Sequence, residues 1–263
     1  MSDVDHIEIG TLSFARCEQQ NLISPKERVR LILAAAEAYE PDLLITAGHA
    51  VHTRRHLEQL ATEYADLGCD GTIITELHHD ADKPSKHETH AMWAVNGDGS
   101  TRRFGRQAFA YRADFARSAP DPLPAFEQQL PQRTIALPDW NVFALICGEI
   151  NVVVGRNTPT YRSAAAETAI MAADVVINPT HDRMSNAGTL DAKRRLLSQA
   201  SADGRNRIYV SCSNWEVCGD AKGRVQNVTP TLHTVYVSGQ PVEGEQLADG
   251  AFGFVYRRWR LAL

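Results

Sequence analysis

Apolar runs and amphipathic stretches alternate along the chain, and this pattern predicts helices alternating with strands. Ser24-Pro25-Lys26-Glu27 is typical of a helix start, with serine as the N-cap and proline in the first turn. We expect that helix to run to about Tyr39. Asp42 to Thr46, which follow Pro41, form a short apolar run suited to a buried strand.

The same pattern continues to the end of the chain. We predict further helices over 53–67, 158–173 and 190–202, and strands over 71–75, 92–96, 142–146, 174–178, 207–213, 232–237 and 252–256. Residues 118–133 carry four prolines and are predicted to form a loop. Because helices and short apolar strands alternate in both halves with no linker-like segment between them, we predict an α/β protein with one domain over residues 1–263.

Composition and charge narrow the function classes. The chain has 263 residues, of which 43% are hydrophobic, and a net charge of −5, so the concentrated basic surface of a nucleic-acid binder is not expected. No apolar run approaches the roughly 20 residues that span a bilayer, and the acidic N-terminus lacks a secretory signal. The five cysteines are scattered and odd in number, so we expect a cytoplasmic location and no disulfide framework.

The segment from Phe143 to Ile150 is a candidate nucleophile site. An apolar strand ends there in Cys147, which is followed by the small Gly148 and the acidic Glu149. A nucleophile at a strand end is held rigidly, and the backbone N–H beyond it can face a developing oxyanion. A cysteine that ends a strand is also typical of an inert core residue, so this segment alone does not identify an enzyme.

Histidines are concentrated between positions 49 and 90. This region contains His49, His52, His56, His78, His79, His87 and His90, which are seven of the ten histidines. His52 and His56 are four residues apart, a spacing compatible with metal ligation on a helix. No cysteine or carboxylate completes a defined ligand set, so we predict solvated histidines, no metal and no cofactor. The nearby Glu76, Asp80 and Asp82 indicate either a cationic substrate or a solvated loop.

Leu145-Ile146-Cys147-Gly148-Glu149 resembles the nucleophile segment of the nitrilase superfamily of carbon–nitrogen hydrolases. Further segments resemble the family in the same order, namely Pro41–Ile45, Trp93–Gly99, Ala172–Thr180 and Leu196–Ser213. The resemblance covers roughly residues 5–240. It implies a four-layer α-β-β-α sandwich and association into a homodimer or higher homo-oligomer, for which the apolar helix from Tyr161 to Ala173 is suited.

The resemblance also implies a mechanism with a glutamate base, a lysine that stabilises the tetrahedral intermediate and a cysteine that forms a thioester. In this chain the glutamate position falls on Gly48, beside His49, and the lysine position falls on Gln107, beside Arg106. A histidine is suited to replace the base. The expected catalytic residues are therefore Cys147, His49, His181, Gln107 and Arg106, and the expected substrate-binding residues are Gly148, Glu149 and Thr180.

Three functions compete. The first is a divergent carbon–nitrogen hydrolase that acts on an amide or nitrile-type bond of a small molecule, with Cys147 as nucleophile. The second is an inactive nitrilase-like scaffold that binds a small molecule or a protein partner. The third is a metal-dependent enzyme that uses the histidine group. We favour the first because a dead site has no need of the nucleophile, and we expect Cys147 to react faster than the other cysteines.

Overall fold

A computed structural model describes residues 6–18, 20–79, 90–116, 120–137, 140–181, 187–201, 204–218, 225 and 227–262. The helices are α1 (Pro25–Tyr39), α2 (Arg54–Leu67), α3 (Leu123–Glu127), α4 (Ala164–Met171) and α5 (Ala187–Leu197). The strands are β1 (His6–Cys17), β2 (Gln20–Asn21), β3 (Leu43–Thr46), β4 (Val51–Thr53), β5 (Thr72–His79), β6 (Ala91–Asn96), β7 (Thr101–Arg106), β8 (Thr134–Ala136), β9 (Asn141–Ala144), β10 (Val153–Val154), β11 (Thr160–Tyr161), β12 (Val175–Ile177), β13 (Ile208–Cys212), β14 (Trp215–Glu216), β15 (His233–Val237), β16 (Gln240–Val242), β17 (Glu245–Asp249) and β18 (Phe254–Ala262).

Two mixed sheets carry the site. The main path of the first sheet runs β17-β18-β1-β3-β5-β6-β7, and β1, β3 and β5 are parallel to one another. The second sheet runs β16-β15-β13-β12-β9-β8, and β9, β12 and β13 are parallel. Ligand sites of such sheets lie outside the carboxyl ends of the parallel strands, so the ends of β3, β5, β9 and β12 are where function is expected.

Packing in the hydrophobic core shows how the helices and the two sheets are layered. One buried cluster joins the two sheets face to face and includes Ile45 of β3 and Ile177 of β12. A second cluster packs α1 and α2 on the outer face of the first sheet, and a third packs α4 and α5 on the outer face of the second. Each sheet is therefore buried on both faces, which explains why its parallel strands are continuous apolar runs in the sequence. The expected four-layer α-β-β-α sandwich is confirmed.

A local sequence signal explains the start of α1, whereas two other predicted boundaries differ from the structure. The Ser24 hydroxyl accepts a hydrogen bond from the Glu27 N–H at 3.3 Å, as a helix N-cap does. The predicted start of the third helix at Thr158-Pro159 is wrong, because these residues lead into β11 and Ser163 is the N-cap of the observed helix α4. The predicted loop over 118–133 contains the short helix α3.

The long first strand escapes detection from sequence because its polar positions are buried. The hydroxyls of Thr11 and Ser13 each lie 2.7 Å from a ring nitrogen of His233. Burial lowers the pKa of His233 well below its usual range, so this imidazole is neutral and satisfies both hydroxyls inside the core. The usual alternation of apolar and polar residues is lost in β1 for this reason.

The cysteines differ from expectation. Cys17 and Cys218 form a disulfide, which links the end of β1 to the segment after β14, so the prediction of unpaired cysteines is wrong for this pair. Cys69, Cys147 and Cys212 are free thiols. Within the described ranges, no helix combines the length and the apolar character that a bilayer crossing requires.

Candidate active site

Cys147 occupies a fixed backbone position just after β9. Its φ of +48° lies in the left-handed region, which non-glycine residues adopt only when their surroundings hold them there. The Cys147 N–H donates to the Pro179 carbonyl at 2.9 Å, and the Cys147 carbonyl accepts from the Asn178 side-chain amide at 2.9 Å. Residues at the end of β12 therefore hold both peptide groups of the candidate nucleophile.

Gly148 and Glu149 stabilise the backbone around Cys147. A Cβ at Gly148 would lie 1.6 Å from the Ala110 carbonyl oxygen, so only glycine permits the close approach of that segment. The Glu149 carboxylate is fully buried and pairs with Arg133 while accepting the Ile146 N–H at 2.8 Å. Glu149 thus orients the backbone before Cys147. Its expected contact with substrate does not fit this position, because Arg133 and the backbone surround the carboxylate.

The position predicted for the family's glutamate is filled from a neighbouring strand. Gly48 lies just beyond β3, and a Cβ there would be 2.4 Å from His181 Cδ2 and 2.7 Å from Glu76 Oε2. Glu76 belongs to β5, which pairs in parallel with β3. A carboxylate therefore lies at the expected position. Glu76 supplies it, and the absence of a side chain at Gly48 leaves the space that it occupies.

Glu76 and His181 form a buried pair. Both carboxylate oxygens of Glu76, which is fully buried, lie 2.9 Å from His181 Nε2. Burial alone lowers the pKa of His181, but the charges of Glu76 and Cys147 and hydrogen bonds to both outweigh burial and raise the pKa well above its ordinary value. The structure thus brings together two predicted residues, Cys147 and His181, in a row completed by Glu76.

His49 is close to this row but differs in character. Its backbone N–H lies 3.3 Å from Glu76 Oε2, and its ring stacks on His181 with centroids 3.9 Å apart. Burial, followed by the charge of His181, lowers the pKa of His49, so the ring is neutral near pH 7. Of the two predicted bases, His181 has the partners that a general base requires, and His49 packs against it.

Four side chains converge closely enough to hold a metal ion. One ligand atom from each of His49, Glu76, His90 and His181 lies within 4.8 Å of all the others. Imidazole nitrogens and a carboxylate oxygen are donors that suit Zn²⁺. The predicted i, i+4 pair is separate from this group, since His56 Nδ1 contacts Thr53 Oγ1 at 2.7 Å. His87, Asp80, Asp82 and the side chain of His79 lie outside the described residues.

The residues predicted at the lysine position lie elsewhere. Gln107 Nε2 donates to the Phe109 carbonyl at 3.2 Å, and the Arg106 carbonyl accepts from Arg133 at 2.6 Å. Neither residue lines the cavity that contains Cys147, so an oxyanion contact from either does not fit. Thr180 is buried with its hydroxyl 2.6 Å from Ser213 Oγ, and it also lies outside the cavity wall.

A cavity of about 720 Å³ opens on the nucleophile. Cys147, Gly148 and His181 form one part of its wall, so Gly148 lies where substrate contact is expected. Four cationic side chains, Arg112, Arg156, Arg162 and Lys193, line the remainder together with apolar and amide groups. The expectation of a cationic substrate based on Glu76 is not supported, since Glu76 is buried against His181 and the wall is positively charged.

Comparison with solved structures identifies the fold. The chain superposes on an amidase from Nesterenkonia sp. AN1, a cysteine-to-alanine variant in complex with butyramide, with a TM-score of 0.63 at 13% identity, covering 98% of this chain and 92% of that one. A structure of the same amidase, whose active-site cysteine carries the acetamide moiety of fluoroacetamide, gives a TM-score of 0.63 at 14% identity over 99% and 92% of the two chains. A glutamine-dependent NAD(+) synthetase from Cytophaga hutchinsonii gives 0.54 at 11% identity and matches 98% of this chain but 43% of that one.

The chain matches no family model and no curated protein sequence. The amidase is assigned to the nitrilase superfamily, so the fold expected from the sequence resemblance is the fold observed. Identities of 11–14% establish architecture only, and the chemistry has to be argued from the residues of this chain.

Proposed function

We propose that this protein, which has the fold of nitrilase-superfamily amidases, hydrolyses the carbon–nitrogen bond of a small amide with Cys147 as its nucleophile. The observation that carries the proposal is the position of His181, which interacts with Cys147 and with the buried carboxylate of Glu76. A cysteine, an imidazole and an orienting carboxylate in this order form the usual arrangement for activating a thiol.

In the proposed reaction, the proton of the Cys147 thiol passes to His181 to give a thiolate–imidazolium pair, and the thiolate sulfur then attacks the amide carbon. The C=O π bond opens to give a tetrahedral oxyanion. When the oxyanion re-forms the carbonyl, the C–N bond breaks, and the imidazolium gives its proton to the departing nitrogen. Ammonia or an amine leaves, and the acyl group remains on sulfur as a thioester. His181 then deprotonates a water molecule that attacks the thioester, and the acid is released as the thiol recovers its proton.

The surrounding groups of this chain suit each step. Glu76 holds Nε2 of the imidazole, so the other ring nitrogen is directed to the thiol. The Cys147 N–H is occupied by the Pro179 carbonyl. The next backbone N–H, that of Gly148, is therefore the proposed oxyanion donor. The cavity around Gly148 holds the substrate.

The test is ammonia release from a panel of short amides and nitriles. We expect turnover of at least one amide, its loss in Cys147→Ser, and a reduction of about 10²–10⁴-fold in kcat for His181→Gln. Cys69→Ser is the matched control and should retain activity, because Cys69 lies outside the cavity wall. Equal activity of Cys147→Ser and the parent would overturn the proposal. Ligand binding without turnover of any amide would favour the inactive-scaffold alternative.

A metal-dependent hydrolase is a second candidate, and the convergence of His49, Glu76, His90 and His181 favours it. The two candidates give opposite responses to metal. If His181 is the base, Zn²⁺ competes with it for Glu76 and inhibits, and dialysis against EDTA preserves activity. If the ion is required, EDTA abolishes activity, and Zn²⁺ restores it even in Cys147→Ser.

A further inference from the structure

Four cationic side chains line the cavity of Cys147, and they come from separate parts of the chain. Arg112 lies on the turn Arg112–Phe115, Arg156 follows β10, Arg162 precedes α4 and Lys193 lies on α5. The fold therefore brings cationic side chains from four segments to the same wall. A single surface charge is usually a solvated side chain, but convergence from four segments onto one concavity indicates a ligand.

Two of these cations are held in place by the same short segment. Lys193 is 5% exposed, and its Nζ donates to Asn151 Oδ1 at 2.8 Å. The Arg162 guanidinium donates through Nε to the Asn151 backbone carbonyl at 2.9 Å and stacks over Phe115 with 4.2 Å to the ring centroid. Because Asn151 belongs to the turn that starts at Cys147, the two cations are fixed relative to the nucleophile.

Neutralising partners are lacking in the part of the chain that the structure describes. No described carboxylate lies within salt-bridge distance of Arg112, Arg156, Arg162 or Lys193, and the charge of Asp121 acts on Arg162 without forming an ion pair. Burial and the charges of Arg162 and Arg112 lower the pKa of Lys193 to about 8. These cations therefore repel one another, and an arrangement that gathers four like charges without a directly paired carboxylate is stabilised when an anion binds.

We infer that the substrate carries an anionic group, a carboxylate or a phosphate-type group, which binds to Lys193 and Arg162 while its amide carbon lies at Cys147. That the anion is part of a substrate rests on the proposed function, whereas the anion site itself is inferred from the cavity and its charges. A buried ammonium recognises an anion as a compact charge, and a guanidinium adds paired N–H donors that fit carboxylate and phosphate oxygens.

A matched pair of amides tests the inference in turnover. Butyramide and succinamate have the same chain length, and succinamate bears a carboxylate where butyramide bears a methyl group. We expect kcat/KM for succinamate to exceed that for butyramide by about 10–100-fold, the usual range for a charge-assisted contact. Lys193→Met and Arg162→Gln should lower kcat/KM for succinamate much more than for butyramide, so that most of this preference disappears. Arg30→Gln, on the exposed face of α1, is the charge-matched control.

A binding measurement separates this inference from the proposed function. Calorimetry with Cys147→Ser, which cannot turn over, should show succinate binding that weakens about 10–100-fold in Cys147→Ser/Lys193→Met. Titrations of Cys147→Ser with succinamate and with 2-carbamoylethylphosphonate distinguish the two anion classes, because these ligands share the amide and differ in the carboxylate or phosphonate group. Affinity for either anion should fall as the pH rises through about 8, where Lys193 loses its proton.

The outcomes are distinct. Succinate binding that depends on Lys193, together with no amide turnover, supports the anion site and overturns the hydrolase. Equal turnover of butyramide and succinamate, with no effect of Lys193→Met on either, overturns the anion site and leaves the hydrolase standing. Absence of succinate and phosphonate binding to Cys147→Ser also overturns the anion site.

Discussion

Replacing Glu76 with glutamine removes one charge from the site and leaves its shape nearly intact. The carboxylate is fully buried, lies 2.9 Å from His181 Nε2 through both oxygens and accepts the His49 N–H at 3.3 Å. Glutamine can keep one of these contacts but carries no charge to hold an imidazolium. The variant therefore tests whether the charge of Glu76 supports His181.

The size of the effect follows from the geometry. Two unit charges roughly 3 Å apart interact by roughly 5 kcal/mol at an effective dielectric constant of about 20. Retaining one hydrogen bond reduces the loss, so the imidazolium loses about 3–5 kcal/mol of electrostatic stabilisation. This loss corresponds to a decrease in rate of about 10²–10⁴-fold. Because Glu76 does not line the cavity, the loss should fall on kcat, and KM should change little.

Steady-state ammonia release measures this effect, and thermal unfolding confirms that the variant is folded. Glu37→Gln, an exposed change on α1, is the matched control and should behave as the parent. Glu76→Asp should recover part of the activity because it restores the charge at a longer distance. The reasoning is refuted if folded Glu76→Gln retains kcat within about threefold of the parent.

Three further outcomes follow from the same contacts. Gly48→Ala should lower kcat by about tenfold or more, because the added methyl group would displace His181 and Glu76; unchanged kinetics would show that this packing does not matter. Glu149→Gln should reduce the free energy of unfolding by about 3–5 kcal/mol in a denaturant titration, because it leaves Arg133 buried and uncompensated; a change below about 1 kcal/mol contradicts this. Since the pKa of His181 is raised on folding, its protonated form stabilises the protein fully below pH about 6.5, and that stabilisation disappears as the pH rises through the raised pKa. Melting curves from pH 6 to 10 should show this decline in the parent and a flatter profile in Glu76→Gln.

The helices and sheets that form the layers of this fold can be predicted from the sequence, because local sequence signals specify them. The Ser24-Pro25 start of α1 and the apolar runs of β3 and β12 correspond to physical preferences of a few neighbouring residues. The strand β1 is different. Its buried polar positions are satisfied by His233, more than 200 residues away, and no local pattern carries that information.

The same distinction separates the predicted and missed site residues. Cys147 and His181 each follow an apolar strand, so their place at a sheet edge is predictable. Glu76 is missed because residue-by-residue comparison assigns the carboxylate to position 48, whereas the fold supplies it from the adjacent strand. A signal exists: an acidic residue interrupts the apolar strand Thr72–His79, and an acid buried in a strand needs a partner.

Site-resolved alkylation of Cys147 tests the central claim most directly. Iodoacetamide is added near pH 7, and peptide mass spectrometry gives the rates for Cys147 and for Cys69, whose pKa is raised by burial and by nearby acidic residues. A Cys147 thiol activated by His181 and Glu76 should react at least about tenfold faster than Cys69, and His181→Gln should remove the advantage. Equal rates for the two cysteines, unchanged in His181→Gln, would contradict the account.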